Sequence, residues 1–530
     1  MAFFREETRV RPEHLALAAV PRRFVLRGRI ATLDANGSVI PDGFVCIEND
    51  LIVTIASADA GIPPAFQQSP LIATGGTIYP GLIELHNHPA YNAIPLWSVE
   101  KRYLNRGQWR NDALYKRRVA NPATLLTHHP QDIYPKSVAR FVECRALLGG
   151  VTTTQGLTLS SLGSTVPYYQ GLVRNVEFSY GANWPTATDH INDFASFGEF
   201  QQTYGPLMDQ GLSRLFIHLC EGTDQTTQAL FSNLIDPKGK PLIGGNLVSI
   251  HGTALGPPQM MLLKPAGGLV WSPTSNFLLY GATTNVSAAI SAGVTVAIGC
   301  DWGPSGTKNL LGELKIAKLT SNELNGLFAD EQLVRMVTTI PAKMMGWDSF
   351  VGTIETGKQA DLLVIGKADG DPYTTLIAAT ESDVAAVLIG GKLRAGRASL
   401  VDPTTVGVEL IHIANQSMVL DLVDDPSHPL ANVTLQGAIA TLSYALEHLP
   451  DLAKTFQTGY AEFKGAPSRF QILLEMDESL ASDASLGVVA IGPGDVDPME
   501  LDAITGVDDA TFIQRIKASM NLPQWLKDAL

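Results

Sequence analysis

The sequence predicts an α/β fold: a distorted TIM-type (β/α)8 barrel, a small β-sandwich domain assembled from both flanks, and a C-terminal appendage. Three observations carry this prediction. Through the middle of the chain, short apolar runs alternate with helical stretches, the pattern of parallel strands joined by crossover helices. Several of those runs end on a histidine or an acidic residue just where the chain turns polar. Two segments of alternating apolar and polar residues, far apart in sequence, bracket the middle. The expected division is residues 1–79 and 348–402 for the two parts of the sandwich, 80–347 for the barrel and 403–530 for a mixed α/β extension.

Composition narrows the class. A chain of 530 residues is too long for one ordinary core. With 45% hydrophobic and 17% charged residues it is globular rather than disordered. A formal charge of −14 argues against nucleic acid or an anionic membrane as partner, so a small molecule is expected. Cys46, Cys144, Cys220 and Cys300 show neither a Cys-x-x-Cys pair nor a disulfide spacing, which fits a reducing cytoplasm. The N-terminal Met1 to Glu7 is charged where a signal peptide turns apolar, and no run of about 18 apolar residues occurs, so neither secretion nor a membrane span is expected.

In order along the chain, Phe24 to Thr74 reads as short antiparallel strands, and the same texture returns in Gly352 to Ile365 and Val384 to Lys392. Tyr79-Pro80-Gly81-Leu82-Ile83-Glu84-Leu85-His86-Asn87-His88-Pro89 reads as a buried strand, on which His86 and His88 project to one side. Further strands are expected at Val151 to Gln155, Val173 to Tyr180, Leu215 to Leu219, Leu247 to His251, Gly268 to Trp271 and Val294 to Cys300. Gly149-Gly150 marks a helix stop. That makes seven strands where a closed barrel needs eight; the missing one is sought between Ala182 and Gly211. The span Trp97 to Gln131, dense in Arg, Lys, Tyr and Trp, is either a lid over the site or an exposed basic helix. In the extension, Leu435 to Leu449 reads as helix, Phe470 to Glu475 as strand, and Asp509 to Ser519 as a final helix, with assembly into a homo-oligomer one role open to it.

His218 with Glu221, His251 and Asp301 each stand at the end of a strand, and in parallel barrels those carboxyl ends converge on one pocket. Imidazoles and a carboxylate suit Zn²⁺, with Fe²⁺ the alternative, and leave a position for water. Such a cation lowers the pKa of bound water from about 15.7 toward about 7. Glu221, three residues past His218, is placed for general acid and base work. For His251, spacing leaves both ligation and orientation of water open. Trp97, Tyr103, Trp184 and Trp302 are candidates for stacking on a planar ring.

The ordered set Pro80-Gly81-Leu82-Ile83-Glu84-Leu85-His86-Asn87-His88, His218-x-x-Glu221, His251, Trp271-Ser272-Pro273-Thr274-Ser275-Asn276-Phe277 and Asp301 resembles the amidohydrolase superfamily. Within it, the likeness is to the cytosine deaminase-like branch of guanine deaminases, adenosylhomocysteine deaminases and triazine hydrolases, and it covers about Phe24 to Gly396. The resemblance implies one divalent metal held by His86, His88, His218 and Asp301. It also implies His251 against the metal-bound water or a developing oxyanion, Glu221 as proton shuttle, and Asp301 assisting deprotonation of the water. The implied reaction is hydrolysis of a non-peptide C–N bond in a small planar or heterocyclic substrate. Cyclic or linear amide hydrolysis, as in imidazolonepropionase-like or arylamide-cleaving relatives, is the alternative, and a catalytically dead scaffold a third. No lysine lies between Lys136 and Lys238, so the carboxylated-lysine bridge of two-metal relatives has no candidate; Glu177 is the substitute bridge to be tested. Two departures stand out: Trp302 follows Asp301 where triazine hydrolases carry a polar residue, and the extension runs past the branch's usual end.

Overall fold

Short segments in the middle of the chain pair in parallel, and the apolar ones among them, such as Leu247–His251 and Gly268–Trp271, are too hydrophobic to leave either face in water. The computed structural model describes residues 22–156, 171–208, 211–401, 407–462, 472, 474 and 491–530. The strands are β1 (Arg23–Ala31), β2 (Val39–Glu48), β3 (Leu51–Ser57), β4 (Leu71–Pro80), β5 (Leu82–Glu84), β6 (Val151–Thr154), β7 (Arg174–Asn175), β8 (Thr186–His190), β9 (Ser213–Leu219), β10 (Leu247–His251), β11 (Gly268–Trp271) and β12 (Val296–Ile298). Beyond them come β13 (Leu362–Ile365), β14 (Val384–Ile389), β15 (Lys392–Arg397), β16 (Glu409–Ile413) and β17 (Gln416–Leu420). A three-stranded parallel sheet has the order β5-β6-β7, and a five-stranded parallel sheet the order β12-β11-β10-β9-β8. This is a mixed α/β fold of the TIM-barrel type.

Alternation along these strands separates two cores. Leu215, Ile217 and Leu219 of β9 join the large outer cluster under the helices. Phe216 joins Ile83, Ala187, Val248, Val270 and Ala297, drawn from both parallel sheets, in a second cluster closed below by Met345 and Trp347. Backbone bonds connect the sheets: Ala187 N donates to Val176 O at 2.8 Å, Asp301 N to His86 O at 2.9 Å, and His88 N to Asp301 O at 2.6 Å.

Turn chemistry places the connections. The Ile133–Leu148 helix stops at Gly149, and Gly150 at φ 79° lets the chain enter β6 directly. Asn285 caps the Val286–Ala292 helix through Ala288 N, and Gly293 ends it in the left-handed region.

The flanks share one mixed sheet in the order β16-β17-β15-β14-β13-β4-β1-β2-β3, in which β1 and β4 are parallel. It runs past 402, because the β16–β17 hairpin pairs with β15; residues 402–406 themselves lie outside the described residues.

Two expectations need correction, and the strand sought between Ala182 and Gly211 is found there. Val173 to Tyr180 is a strand only over β7, because Asn175 turns the chain: its side chain accepts Glu177 N at 3.0 Å and its carbonyl Phe178 N at 3.1 Å. The missing strand is β8, hidden from pattern reading by its polar Thr-Ala-Thr-Asp-His composition. The first site strand ends at Glu84, so His86 and His88 lie beyond it.

In the extension, helices run over Leu435–Glu447, Phe512–Ala518 and, unanticipated, Leu449–Glu462 and Gln524–Ala529. The strand expected over 470–475 falls outside the described residues apart from Ile472 and Leu474. Buried Arg140 of the Ile133–Leu148 helix anchors this region, donating to the carbonyls of Val433, Leu430 and Leu422 at 2.9, 2.8 and 3.2 Å. Phe512, Ile516, Leu522 and Leu526 pack against Phe277, Leu278 and Ile316. No helix among the described residues is long and apolar enough to cross a membrane.

Candidate active site

The ends of β5, β9, β10 and β12 deliver His86 and His88, His218 and Glu221, His251, and Asp301 to one place, none of them more than 3% exposed. His251 and Asp301 have φ of 62° and 71°, and Cys220, between His218 and Glu221, has 49°. Non-glycine residues in this region cost about 1–2 kcal/mol each, so the surroundings must hold them. They do: His88 N donates to Asp301 O at 2.6 Å, Thr284 Oγ1 to His251 O at 2.6 Å, and Cys220 N to Asp193 Oδ1 at 2.8 Å. Glu84 ties two strand ends together, accepting Cys300 N at 2.8 Å and Asn87 Nδ2 at 2.9 Å.

The donor atoms converge. His218 Nε2 lies 3.2 Å from His86 Nε2 and 3.1 Å from His88 Nε2. Asp301 Oδ1 lies 3.4 and 3.5 Å from the same two nitrogens. Four ligands at the usual zinc distances of about 2.0–2.1 Å would be separated by roughly 3.3–3.4 Å in a tetrahedron, and these four separations lie close to what a Zn²⁺-sized ion would require. His86, His88 and Asp301 form one metal-capable group among the described residues, and His86, His218 and His251 another. Burial, reinforced by the neighbouring imidazoles and the Arg106 guanidinium, holds His86, His88 and His218 well below the ordinary histidine value, so they are neutral and offer lone pairs. Burial first, and the Glu221 carboxylate second, push Asp301 well above the carboxylate range, a penalty that a cation held by this residue would reverse. Among the described residues, Asp301 Oδ1 and Glu221 Oε2, both buried, accept no hydrogen bond. Glu177 is in neither metal-capable group; its Oε1 accepts Gly156 N at 3.0 Å.

One helix orients the site. Pro273 opens it and Gly281, at φ 64°, closes it, so Ser272, Ser275, Asn276 and Tyr280 fall on one face. Ser272 Oγ meets His86 Nδ1 at 2.7 Å, Ser275 Oγ donates to Asp301 Oδ2 at 2.5 Å, and Tyr280 Oη donates to Glu221 Oε1 at 2.6 Å. Asn276 Nδ2 lies 3.0 Å from His251 Nδ1, while Asn276 Oδ1 accepts from Thr283 Oγ1. With the amide so assigned, Nδ1 of His251 accepts and the proton sits on Nε2, which faces Glu221 Oε2 at 3.7 Å and Asp301 Oδ2 at 3.9 Å. Buried Glu313 anchors the helix start, accepting Thr274 N and Thr274 Oγ1, each at 2.9 Å.

The span 97–131 covers this cluster. Arg106 N donates to Glu221 O at 3.2 Å, and its guanidinium Nε lies 3.8 Å from Glu221 Oε2. Trp302 sits among Tyr91, Trp109 and Tyr115 and reaches toward His88, and Trp97 lies beside Tyr103 and Tyr115. Trp184 is not with them. It stacks on Phe350 and meets Trp347 edge to face, because residue 184 precedes β8 and so stands at the opposite end of the strand from the site. Sequence reasoning quoted Ser272, Ser275 and Asn276 only as part of one motif and missed Tyr280; the signal was their three- and four-residue spacing along an otherwise apolar helix.

Residues 236–394 match the model of the Amidohydrolase family. The 5-methylthioadenosine/S-adenosylhomocysteine deaminase of Moorella thermoacetica is 25% identical over 413 residues, which cover 68% of this chain and 92% of that protein. An adenosine deaminase from Xanthomonas campestris, solved with bound zinc, superposes with a TM-score of 0.54 at 18% identity, covering 82% of this chain and 98% of its own. E. coli guanine deaminase does so with a TM-score of 0.53 at 17% identity, over 70% of this chain and 98% of its own. The chain thus carries an Amidohydrolase family domain.

Proposed function

We propose that this chain is a zinc-dependent deaminase that hydrolyses the exocyclic C–N bond of an adenine-type purine, with 5′-methylthioadenosine and S-adenosylhomocysteine as first candidates. The observation that carries this reading is that His218 Nε2 and Asp301 Oδ1 each lie 3.1–3.5 Å from both His86 Nε2 and His88 Nε2, beside a separate carboxylate, Glu221. His86, His88, His218 and Asp301 would hold a single metal. Bound there, Zn²⁺ acts as a Lewis acid that makes water nucleophilic near neutral pH. Glu221 Oε2 takes a proton as the water oxygen bonds to the ring carbon and returns it to the nitrogen as the C–N bond breaks and ammonia leaves. His251 Nε2–H donates to the oxygen on which negative charge develops. The names of the sequence relatives support the substrate class.

The parallel strands β5 to β12 would close into one barrel, a reading supported by the shared inner cluster and by the bonds at Ala187 and Asp301. The flanking sheet would fold over as a sandwich, supported by the single cluster formed by Leu26, Val45, Ile78, Leu362 and Leu388 from β1, β2, β4, β13 and β14. Four buried free cysteines fit a cytoplasmic enzyme.

Zinc-loaded protein incubated with 5′-methylthioadenosine, S-adenosylhomocysteine, adenosine and guanine should release ammonia in step with conversion of the amino-purine to its oxo form. Absence of ammonia from every purine, with acid release from cyclic or linear amides, overturns the reading in favour of amide hydrolysis.

A further inference from the structure

We propose that Tyr280 is a positioning residue for Glu221, fixing which of its two oxygens handles the proton, and that Trp109 sets Tyr280 in turn. This rests on the reading of Glu221 as proton shuttle. Trp109 Nε1 lies 2.8 Å from Tyr280 Oη, and Tyr280 Oη lies 2.6 Å from Glu221 Oε1. An indole N–H only donates, so the phenol oxygen accepts from Trp109 and its single proton has one direction left, toward Oε1. Burial first, and the Glu221 charge second, push the phenol well above its ordinary value, so it remains a donor.

Oε1 is thereby committed. Oε2 accepts no hydrogen bond from the described residues and faces His251 Nε2 at 3.7 Å and Arg106 Nε at 3.8 Å. The terminal torsion of a glutamate is broad, so without the phenol the two oxygens would rotate between these places. With it, Oε2 alone takes the proton from water and delivers it to the departing nitrogen. Tyr280 keeps its own proton throughout, and Glu221 ends as the carboxylate it began as. Trp109 belongs to the Arg106–Arg110 helix of the covering span, whose backbone also bonds Glu221 O, so the order of the shuttle is coupled to the seating of that span.

Two measurements test this. With 5′-methylthioadenosine, Y280F should lower kcat about tenfold to a hundredfold, as loss of a hydrogen bond to a charged group does, with KM within about twofold and zinc content unchanged. W109F should cost less, and W109F/Y280F should equal Y280F, because the two act in series. Additive losses, or a KM rise at constant kcat, overturn the proposal. The second measurement needs no turnover. The Glu221 carboxylate stretch, isolated by infrared difference against E221Q, should shift in Y280F and stay in place in Y444F, a tyrosine that is 58% exposed. An unshifted band in Y280F overturns the proposal. Failure of the wild type on every purine would instead strike the deaminase reading and leave the infrared result to decide this one.

Discussion

Ser275 Oγ donates to Asp301 Oδ2 at 2.5 Å, which turns Oδ1 of the same carboxylate toward His86 Nε2 and His88 Nε2 at 3.4 and 3.5 Å. The serine thus acts on the proposed metal set without joining it. S275A should leave the fold intact and weaken zinc retention about tenfold to a hundredfold, the usual cost of losing a partner behind a ligand. Competition against a chelator of known affinity checks this; unchanged retention would remove Ser275 from the account.

His218 and Glu221 stand three residues apart with different proposed duties. H218A should lose zinc and turnover together. E221Q should keep zinc at the wild-type level and lose about a hundredfold to ten-thousandfold in kcat, the range of general acid–base catalysis. Metal analysis beside steady-state kinetics separates the two, and full activity in E221Q would remove Glu221 from the chemistry.

Glu313 is fully buried, and burial pushes its carboxyl up to about 7, against hydrogen bonds from Thr307 and Thr274 that favour the charge. A folded-state value above the unfolded one means the native protein binds this proton more tightly. Its contribution to stability is therefore fully present below about pH 4.3 and lost as the pH rises through about 7. Relative to E313Q, the wild type should lose thermal stability between pH 5 and pH 8. Parallel melting midpoints across that window would show that Glu313 titrates normally.

Leu526, fully buried near the chain end, packs with Phe512 and Ile516 against Phe277 and Leu278 of the helix that orients the site. L526A should destabilise by about 2–5 kcal/mol in urea unfolding, the range for a buried leucine. Activity should fall along with zinc retention, since the loosened helix carries Ser275 and Tyr280. Destabilisation with both properties intact would uncouple the extension from the site.

What could be read from the amino-acid string follows from its physics. Leu247 to His251 and Gly268 to Trp271 were legible as strands to the residue, because strands buried on both faces must be continuously apolar. His218, His251 and Asp301 stood out because polar residues closing such runs have few structural uses. β8 did not stand out, since only Ala187 of its five residues is fully buried. The left-handed backbone at His251 and Asp301 is set by tertiary bonds to Thr284, His86 and His88, and no local signal announces it. Tyr280 was hidden inside the apolar Phe277-Leu278-Leu279-Tyr280 run, where an aromatic reads as core. In Trp184 the error was of place: an aromatic before a strand stands at its other end.

The aromatic cover of Trp109, Tyr115 and Trp302 above histidines that are almost fully enclosed has a kinetic corollary. With these histidines so deeply buried, a chelator would reach an ion held there only when the protein opens. Stripping should therefore speed up with chelator concentration at first and then level off, at a ceiling set by the breathing of the polypeptide.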